Sequence, residues 1–124
     1  NNRFLQIYDN RWKCWLFPYF RSTQNNNKEN IDLSISNLLK IQLSTQYIAQ
    51  AKHCKYSVSD GVYKIYNHKL YMIRLDELPE YMDKDEFEIG DKVFKWLSIG
   101  EMEEDFDIMS KNDDVIAFVK KRCC

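Results

Sequence analysis

The chain has 124 residues, of which 44% are hydrophobic and 30% charged, and its formal net charge is −1. These values are typical of one globular domain, residues 1–124, that buries about two thirds of its unfolded surface. They argue against DNA or RNA as a partner, because a nucleic-acid interface needs clustered Lys and Arg. There is neither a secretory signal nor an apolar run near the roughly 20 residues of a membrane span. Since the chain begins without methionine, we expect a fragment or processed product of a longer protein.

The small net charge hides a difference between the two parts of the chain. Residues 1–75 carry eleven Lys or Arg and four Asp or Glu, whereas residues 76–124 carry seven and fifteen. This asymmetry predicts a basic face on which an anionic partner would dock. The alternative is that folding interleaves the two parts and neutralises the field.

The opening stretch, Arg3–Phe20, predicts two strands joined by a tight turn at Asp9-Asn10. Apolar and aromatic residues lie on both sides of this pair, whose side chains can satisfy the backbone of a turn. Pro18 ends the second strand, because proline cannot donate a hydrogen bond to a neighbouring strand.

The next stretch predicts a loop and then a helix. Residues 22–30 are polar and Asn-rich, so we expect a flexible surface loop, with a cap over a pocket as the alternative. Within Ile31–Gln50, apolar residues recur at helical spacing after Asp32, which is a candidate N-cap. This helix should pack its apolar face on a sheet.

Two further strands are predicted around the turn signal Asp60-Gly61. The first is Lys52–Ser59. The second, Val62–Leu75, has apolar residues on both faces, and positions 67–68 are a candidate bulge. Coverage on both faces favours a central strand in a sheet clad on both sides.

The last third of the chain predicts a long acidic surface connection over Asp76–Asp91 and a strand over Lys92–Ser98. An acidic helical turn over Gly100–Asp107 and a helix over Ser110–Arg122 follow, with Asn112 as the cap of that helix. The predicted order is β-β-α-β-β-β-α. It favours an α/β (α+β) fold in which helices cover both faces of one mixed sheet, an α/β/α sandwich.

The cysteines and histidines do not have the spacing of a zinc site. The four cysteines form no C-x-x-C pair, and neither His53 nor His68 stands at finger-like spacing to a second histidine. We therefore predict no metal site, and reduced thiols.

Three spaced features resemble the Nudix family. They are Trp15-Leu16-Phe17-Pro18 before a loop and a helix, Trp96-Leu97-Ser98 before an acidic turn, and a final helix led by Asn112-Asp113. In Nudix hydrolases a strand ending in Trp-x-Leu-Pro-Gly-Gly leads to the catalytic helix. In this chain Tyr19-Phe20 stand in place of the two glycines.

The Nudix box itself is absent. Between Glu29 and Asp76 the acids are Asp32 and Asp60, whereas the family holds Mg²⁺ with several carboxylates on one helix. A hard divalent ion needs such clustered oxygen ligands. We therefore predict that the chain is not an enzyme and has no cofactor.

A Nudix fold without its box is similar to the SMODS-associated Nudix domains of bacterial CBASS anti-phage membrane effectors. This resemblance implies a domain that senses a cyclic di- or trinucleotide and leaves it uncleaved. It also implies a homo-oligomer on activation and a cytoplasmic position, tethered to the inner membrane through a segment outside this chain. Two alternatives remain: a nucleoside-diphosphate hydrolase that takes metal ligands from Glu101–Asp107, and a scaffold that binds protein through the acidic region Asp76–Asp107.

The resemblance implies ligand contacts of three kinds. Those expected to contact phosphate are Arg11, Arg21, Lys64 and His68. Those expected to stack on a base are Trp15, Tyr19, Phe20, Tyr66 and Trp96. Those expected at a base edge are Asn112 and Asp113. Core packing is the alternative for the two tryptophans and a helix cap for Asn112-Asp113, whereas Tyr19 and Arg21 are expected at the pocket mouth.

Overall fold

Consecutive strands come in pairs along the chain and the helices stand between or after these pairs, an order typical of an α+β domain. The computed structural model describes residues 2–21, 27–57 and 60–123, with only the backbone at position 27. Its elements in chain order are β1 (Phe4–Asp9), β2 (Cys14–Leu16), α1 (Asn27–Leu39), β3 (Gln46–Ser57), β4 (Val62–Met72), a 3₁₀ turn (Glu80–Met82), β5 (Glu86–Ile89), β6 (Lys92–Leu97), α2 (Ile99–Glu103) and α3 (Phe106–Cys123). The predicted α+β class is confirmed.

The described strands pair in two antiparallel sheets, so the prediction of one mixed sheet is wrong. One sheet has the order β2-β1-β6-β5, and Ile7 of β1 lies opposite both Leu16 and Phe94. The other sheet is the β3–β4 hairpin alone. Short turns join β1 to β2, β3 to β4 and β5 to β6, and strands joined by such turns pair antiparallel.

Helices pack on both faces of the four-stranded sheet, as predicted. On one face lies a buried cluster formed by Ile35, Leu39, Met82, Phe87 and Phe94. On the other lies a cluster formed by Leu97, Ile99, Met102, Ile108, Ile116 and Val119. Neighbouring residues of a strand point to opposite faces. Accordingly, Leu5 packs on the first cluster and Phe4 on the second.

The opening hairpin is confirmed together with its turn. Asp9 Oδ1 accepts the backbone N–H groups of Arg11 at 2.8 Å and Trp12 at 2.9 Å. The amide of Lys13 donates to the carbonyl of Asp9, and Lys13 itself has a positive φ of 56°. The Asp9 side chain thus holds the turn in the way that its residue type predicted.

Helix α1 begins earlier than predicted, at Asn27, so Asp32 lies inside the helix and is not its N-cap. Positions 22–26 of the predicted loop lie outside the described residues. Asp32 Oδ1 accepts from the Thr45 amide at 2.8 Å and the Thr45 hydroxyl at 2.5 Å, while Lys28 Nζ pairs with Oδ2 at 2.6 Å. The hydrogen bonds from Lys28 and Thr45 lower the pKa of Asp32 to about 2.

The prediction of a central strand over Val62–Leu75 is wrong. Strand β4 has β3 as its partner, and the half nearest the turn is exposed. The pairing runs regularly through positions 67–68, so the predicted bulge is wrong too; the irregularity lies between Tyr47 and Ala49. Aromatic and β-branched residues favour a strand without fixing how deeply it is buried. The turn at Asp60-Gly61 is confirmed, with Gly61 at a φ of 68°.

Two boundaries in the last third also differ from the prediction. The connection Asp76–Asp91 contains the 3₁₀ turn and β5, and its Met82 and Phe87 are buried in the core. Helix α3 begins at Phe106, before the predicted start at Ser110. Asn112 has non-helical angles (φ −138°, ψ 29°) at a kink, and a second helical segment begins directly after it, at the position predicted from the cap. None of the helices in the described ranges combines the length and apolar character needed to cross a membrane.

Candidate functional site

A groove of about 560 Å³ opens at one end of the four-stranded sheet. It lies between the end of β1, the segment after β2, the end of α1 and the β5–β6 turn. We call it the aromatic groove, and the residues that define it are Tyr8, Asp9, Tyr19, Phe20, Asp91 and Lys92. Its volume falls within the range of small-molecule and nucleotide sites.

The groove has an apolar floor and an exposed aromatic rim. Ile7, Phe20 and Leu38 line it and also pack against the buried cluster beneath α1. Pro18 also lines the groove and precedes Tyr19, whose side chain is 62% exposed. A large ring that stands free beside a packed floor can close over a flat ligand.

The charged residues of the groove lining leave one excess negative charge. Asp9 and Asp91 line it together with Lys92. One oxygen of Asp9 already accepts two backbone N–H groups of the β1–β2 turn, so this carboxylate has a structural task. The β5–β6 turn that carries Asp91 needs the left-handed conformation of Gly90 (φ 61°).

A second, shallower pocket of about 310 Å³ lies beside α2. Trp15 and Lys95 line it together with Glu101, Glu104 and Asp105, and Lys95 Nζ stands 5.7 Å from the centroid of the Trp15 ring. Glu101 Oε1 accepts the Ser98 amide in a capping box, which lowers the pKa of Glu101. Among the described residues, no three of these acids bring ligand atoms within 4.8 Å of one another. This pocket therefore gives the hydrolase alternative no assembled metal site.

A compact polar cluster joins the β3–β4 hairpin to α3. We call it the histidine cluster, and its members are His53, Lys55, His68 and Asp114. His53 Nδ1 lies 2.8 Å from His68 Nδ1 and 3.4 Å from Asp114 Oδ2, and Lys55 Nζ lies 2.9 Å from Asp114 Oδ1. All four side chains are partly buried. Burial, then the nearby charge of Lys55, then His53 lower the pKa of His68.

The structure places two of the predicted ligand contacts, Tyr19 and Phe20, together in the aromatic groove. Arg21 follows them directly and is exposed. Arg11 lies on the β1–β2 turn with its guanidinium 5.8 Å from the Trp12 ring. Trp15 contacts Tyr8 edge-on, with 5.2 Å between the ring centroids, but lines the second pocket.

The other predicted contacts are distributed over different elements. Trp96 packs in the core and donates its indole N–H to the Met82 carbonyl at 2.9 Å, so the core alternative is confirmed for it. Lys64, Tyr66 and His68 lie on β4, where Lys64 pairs with Asp60. Asn112 and Asp113 lie at the break in α3. Of the eleven predicted residues, the lining of the aromatic groove contains Tyr19 and Phe20.

The predicted charge asymmetry is partly neutralised on folding. Arg3 pairs with Asp85 at 2.7 Å and Lys55 pairs with Asp114 at 2.9 Å. Each of these pairs joins a base from the first part of the chain to an acid from the second. Interleaving of the two parts, the alternative to a basic face, therefore occurs at these positions.

Sequence reasoning missed the groove residues Tyr8, Asp91 and Lys92, since each stands beside a turn and carries no motif. It also missed the approach of His53 to His68, because only their spacing along the chain was weighed. A signal was available: a tight turn at Asp60-Gly61 brings positions 53 and 68 close together across a hairpin.

Comparisons of the chain with protein-family models, with curated proteins and with solved structures found no match. The resemblance to the Nudix family therefore rests on the residues quoted above and stays a prediction.

Proposed function

We propose that this chain is a ligand-binding domain that holds a cyclic oligonucleotide in the aromatic groove and releases it uncleaved. The observation that carries the proposal is the Tyr19 ring, exposed at the mouth of a groove of about 560 Å³. Stacking of a base on such a ring contributes about 1–3 kcal/mol and tolerates different bases. Phe20 and Tyr8 supply further aromatic surface within the same groove.

The charges of the groove lining do not favour a strongly anionic group. Asp9 and Asp91 outnumber Lys92, which leaves the lining with one excess negative charge. A cyclic oligonucleotide carries a single negative charge on each phosphate, whereas a nucleoside triphosphate concentrates several on one arm. Arg21 is exposed next to Phe20 and could contact one phosphodiester through its forked N–H donors.

The small number of acids on α1 supports binding of the ligand without cleavage. This helix follows the Trp15–Pro18 segment, in the position that the Nudix catalytic helix takes in that family, and its acids are Glu29 and Asp32. Asp32 is engaged by Lys28 and Thr45. The same resemblance implies that several ligand-bound copies of the domain assemble and thereby activate a membrane effector.

The test is calorimetric titration with a panel of cyclic di- and trinucleotides, with and without Mg²⁺, followed by chromatography of the recovered ligand. We expect binding that does not need the metal and intact ligand afterwards. Tyr19→Ala should weaken binding by about 5- to 150-fold, the equivalent of one lost stacking contact. Tyr19→Phe should bind nearly as well as the wild type.

The matched control is Tyr63→Ala, since Tyr63 is 73% exposed on β4, away from the groove, and should leave affinity unchanged. Equal losses in both variants would overturn the assignment of the groove. Cleaved ligand would favour the hydrolase alternative. No heat with any cyclic nucleotide would reject the proposed function and leave the protein-binding scaffold.

A further inference from the structure

Three side chains that commonly bind metal ions converge where the β3–β4 hairpin meets α3. They are His53 of β3, His68 of β4 and Asp114 of α3, each partly buried. One ligand atom from each lies within 4.8 Å of the other two. They stand apart from the aromatic groove, whose lining contains none of them.

The distances are close to those of a tetrahedral metal centre. Ligands about 2.0–2.1 Å from zinc at tetrahedral angles lie roughly 3.3 Å from each other. His53 Nδ1 and Asp114 Oδ2 are 3.4 Å apart, and the two imidazole Nδ1 atoms are 2.8 Å apart. A separation of the two rings by roughly 0.5 Å would bring the imidazole pair to that spacing. The ligand atoms of His68 and Asp114 lie within 4.8 Å of each other.

The carboxylate of Asp114 is the second observation that points to a ligand here, because it lacks the hydrogen bonds that a buried charge needs. Both of its oxygens are inaccessible to solvent, and neither accepts a well-formed hydrogen bond from the described residues. Lys55 Nζ is close to Oδ1, at 2.9 Å, but the contact is poorly aligned as a hydrogen bond. Lys55 offsets the charge of Asp114 but leaves the lone pairs of its oxygens without well-formed hydrogen bonds. A buried carboxylate in that state is unfavourable, and a metal ion coordinated to it would use those lone pairs.

We propose that His53, His68 and Asp114 form a binding site for a divalent transition-metal ion, zinc in the first place. Two imidazoles and one carboxylate suit such ions and leave one position of a tetrahedral ion for water. Because the ligands come from β3, β4 and α3, the bound ion fastens the hairpin to the helix. This site is independent of the nucleotide-binding proposal.

Replacing Lys55 should raise the affinity of the site for zinc. Its ammonium group neutralises Asp114 when no metal is bound and repels an incoming cation. The Lys55 side chain is 29% exposed, so it can turn toward solvent as the ion binds. Lys55→Met removes both effects, and we expect zinc to bind roughly tenfold more tightly to this variant.

The experiment is titration of the full chain with ZnCl₂ under reducing conditions, followed by isothermal calorimetry. We expect one zinc ion per chain. His53→Ala, His68→Ala and Asp114→Asn should each weaken binding by at least about 100-fold, since even loss of a supporting contact to a ligand costs 10–100-fold. Asp107→Asn, an exposed acid of the same helix, is the matched control and should leave zinc affinity unchanged.

Cobalt(II) identifies the ligands, because a thiolate ligand adds a near-ultraviolet charge-transfer band to the visible spectrum. Visible cobalt bands without the near-ultraviolet charge-transfer band would support the site. A charge-transfer band would show that cysteine binds the metal and would overturn the proposal. Absence of zinc binding would also overturn it and leave a hydrogen-bonded polar cluster. The proposal would also be overturned if Lys55→Met bound zinc no more tightly than the wild type. This variant is informative because misfolding could not produce the expected gain of affinity.

Discussion

The four-stranded sheet and the β3–β4 hairpin are both rich in aromatic and β-branched residues, but they differ in what covers them. Phe94 of the sheet and Met82 and Met102 beside it have no exposed surface. On β4 of the hairpin, Tyr63 and Ile65 are nearly three quarters exposed. The comparison shows that the residue types that favour a strand do not determine whether the strand becomes part of the core.

The hairpin depends on the rest of the domain for its order. A two-stranded hairpin on its own is marginally stable in water. Leu70 packs against the cluster beneath α2 and α3, and the His53 ring meets Phe118 of α3 edge-on at 6.2 Å. Among the described residues next to the turn, Val62 and Tyr63 are more than half exposed, so local opening should begin there and reach the sheet last.

The largest effect is expected in the sheet. Phe94→Ala should lower the free energy of unfolding by about 3–5 kcal/mol, because it removes a fully buried ring from the core. Chemical denaturation followed by circular dichroism measures this change. Phe106→Ala is the matched control, since Phe106 is 82% exposed at the start of α3 and should change stability by less than about 0.5 kcal/mol. Similar values for the two variants would contradict the assignment of the core.

A smaller effect is expected where α1 is tied to the segment that leads into the hairpin. Asp32→Asn should cost about 1–2 kcal/mol, since it weakens charged hydrogen bonds to Lys28 and Thr45. The pKa of Asp32 is lowered to about 2 in the folded protein, below its usual value near 3.8. Its stabilising contribution is therefore complete above about pH 4 and is lost as the pH falls toward 2.

The pH dependence separates this carboxylate from others in the chain. The difference in stability between wild type and Asp32→Asn should shrink as the pH falls from about 4 to 2, measured by denaturation at each pH. Thr45→Val removes the hydroxyl donor and keeps the shape of the side chain, so it should reproduce part of the loss. A difference that stays constant across this range would show that Asp32 does not act through its charge.

Local signals predicted most elements but not how they assemble. Asp9-Asn10 and Asp60-Gly61 marked two hairpin turns correctly, because turn chemistry is contained in neighbouring residues. The early start of α1 and the strand β5 were missed. Both lie in polar stretches, in which the apolar pattern is weak, and β5 has a single buried residue, Phe87, which stacks on Phe94 of the neighbouring strand at 5.3 Å.

The candidate sites show the same limit. Tyr19 and Phe20 line the aromatic groove. The sequence pointed to them only through the resemblance to the Nudix motif, which stays a prediction. The approach of His53 to His68 could be expected from the hairpin turn alone. Their meeting with Asp114 could not, because it depends on how the hairpin packs across α3, about fifty residues away.

The smallest effect is expected on the exposed part of the hairpin. Ile65→Thr keeps a β-branched side chain at a position that is 72% exposed, so we expect a change in stability of at most about 0.5 kcal/mol. The same substitution at buried Ile116 should cost at least about 2 kcal/mol, because it removes a methyl group and buries a hydroxyl. Denaturant unfolding of both variants measures the contrast.

A cost above about 1.5 kcal/mol at position 65 would mean that something covers this face of β4 in solution. The contrast between the two sheets would then describe only the isolated chain, because a partner that covers this apolar face of β4 in solution would make it an interface.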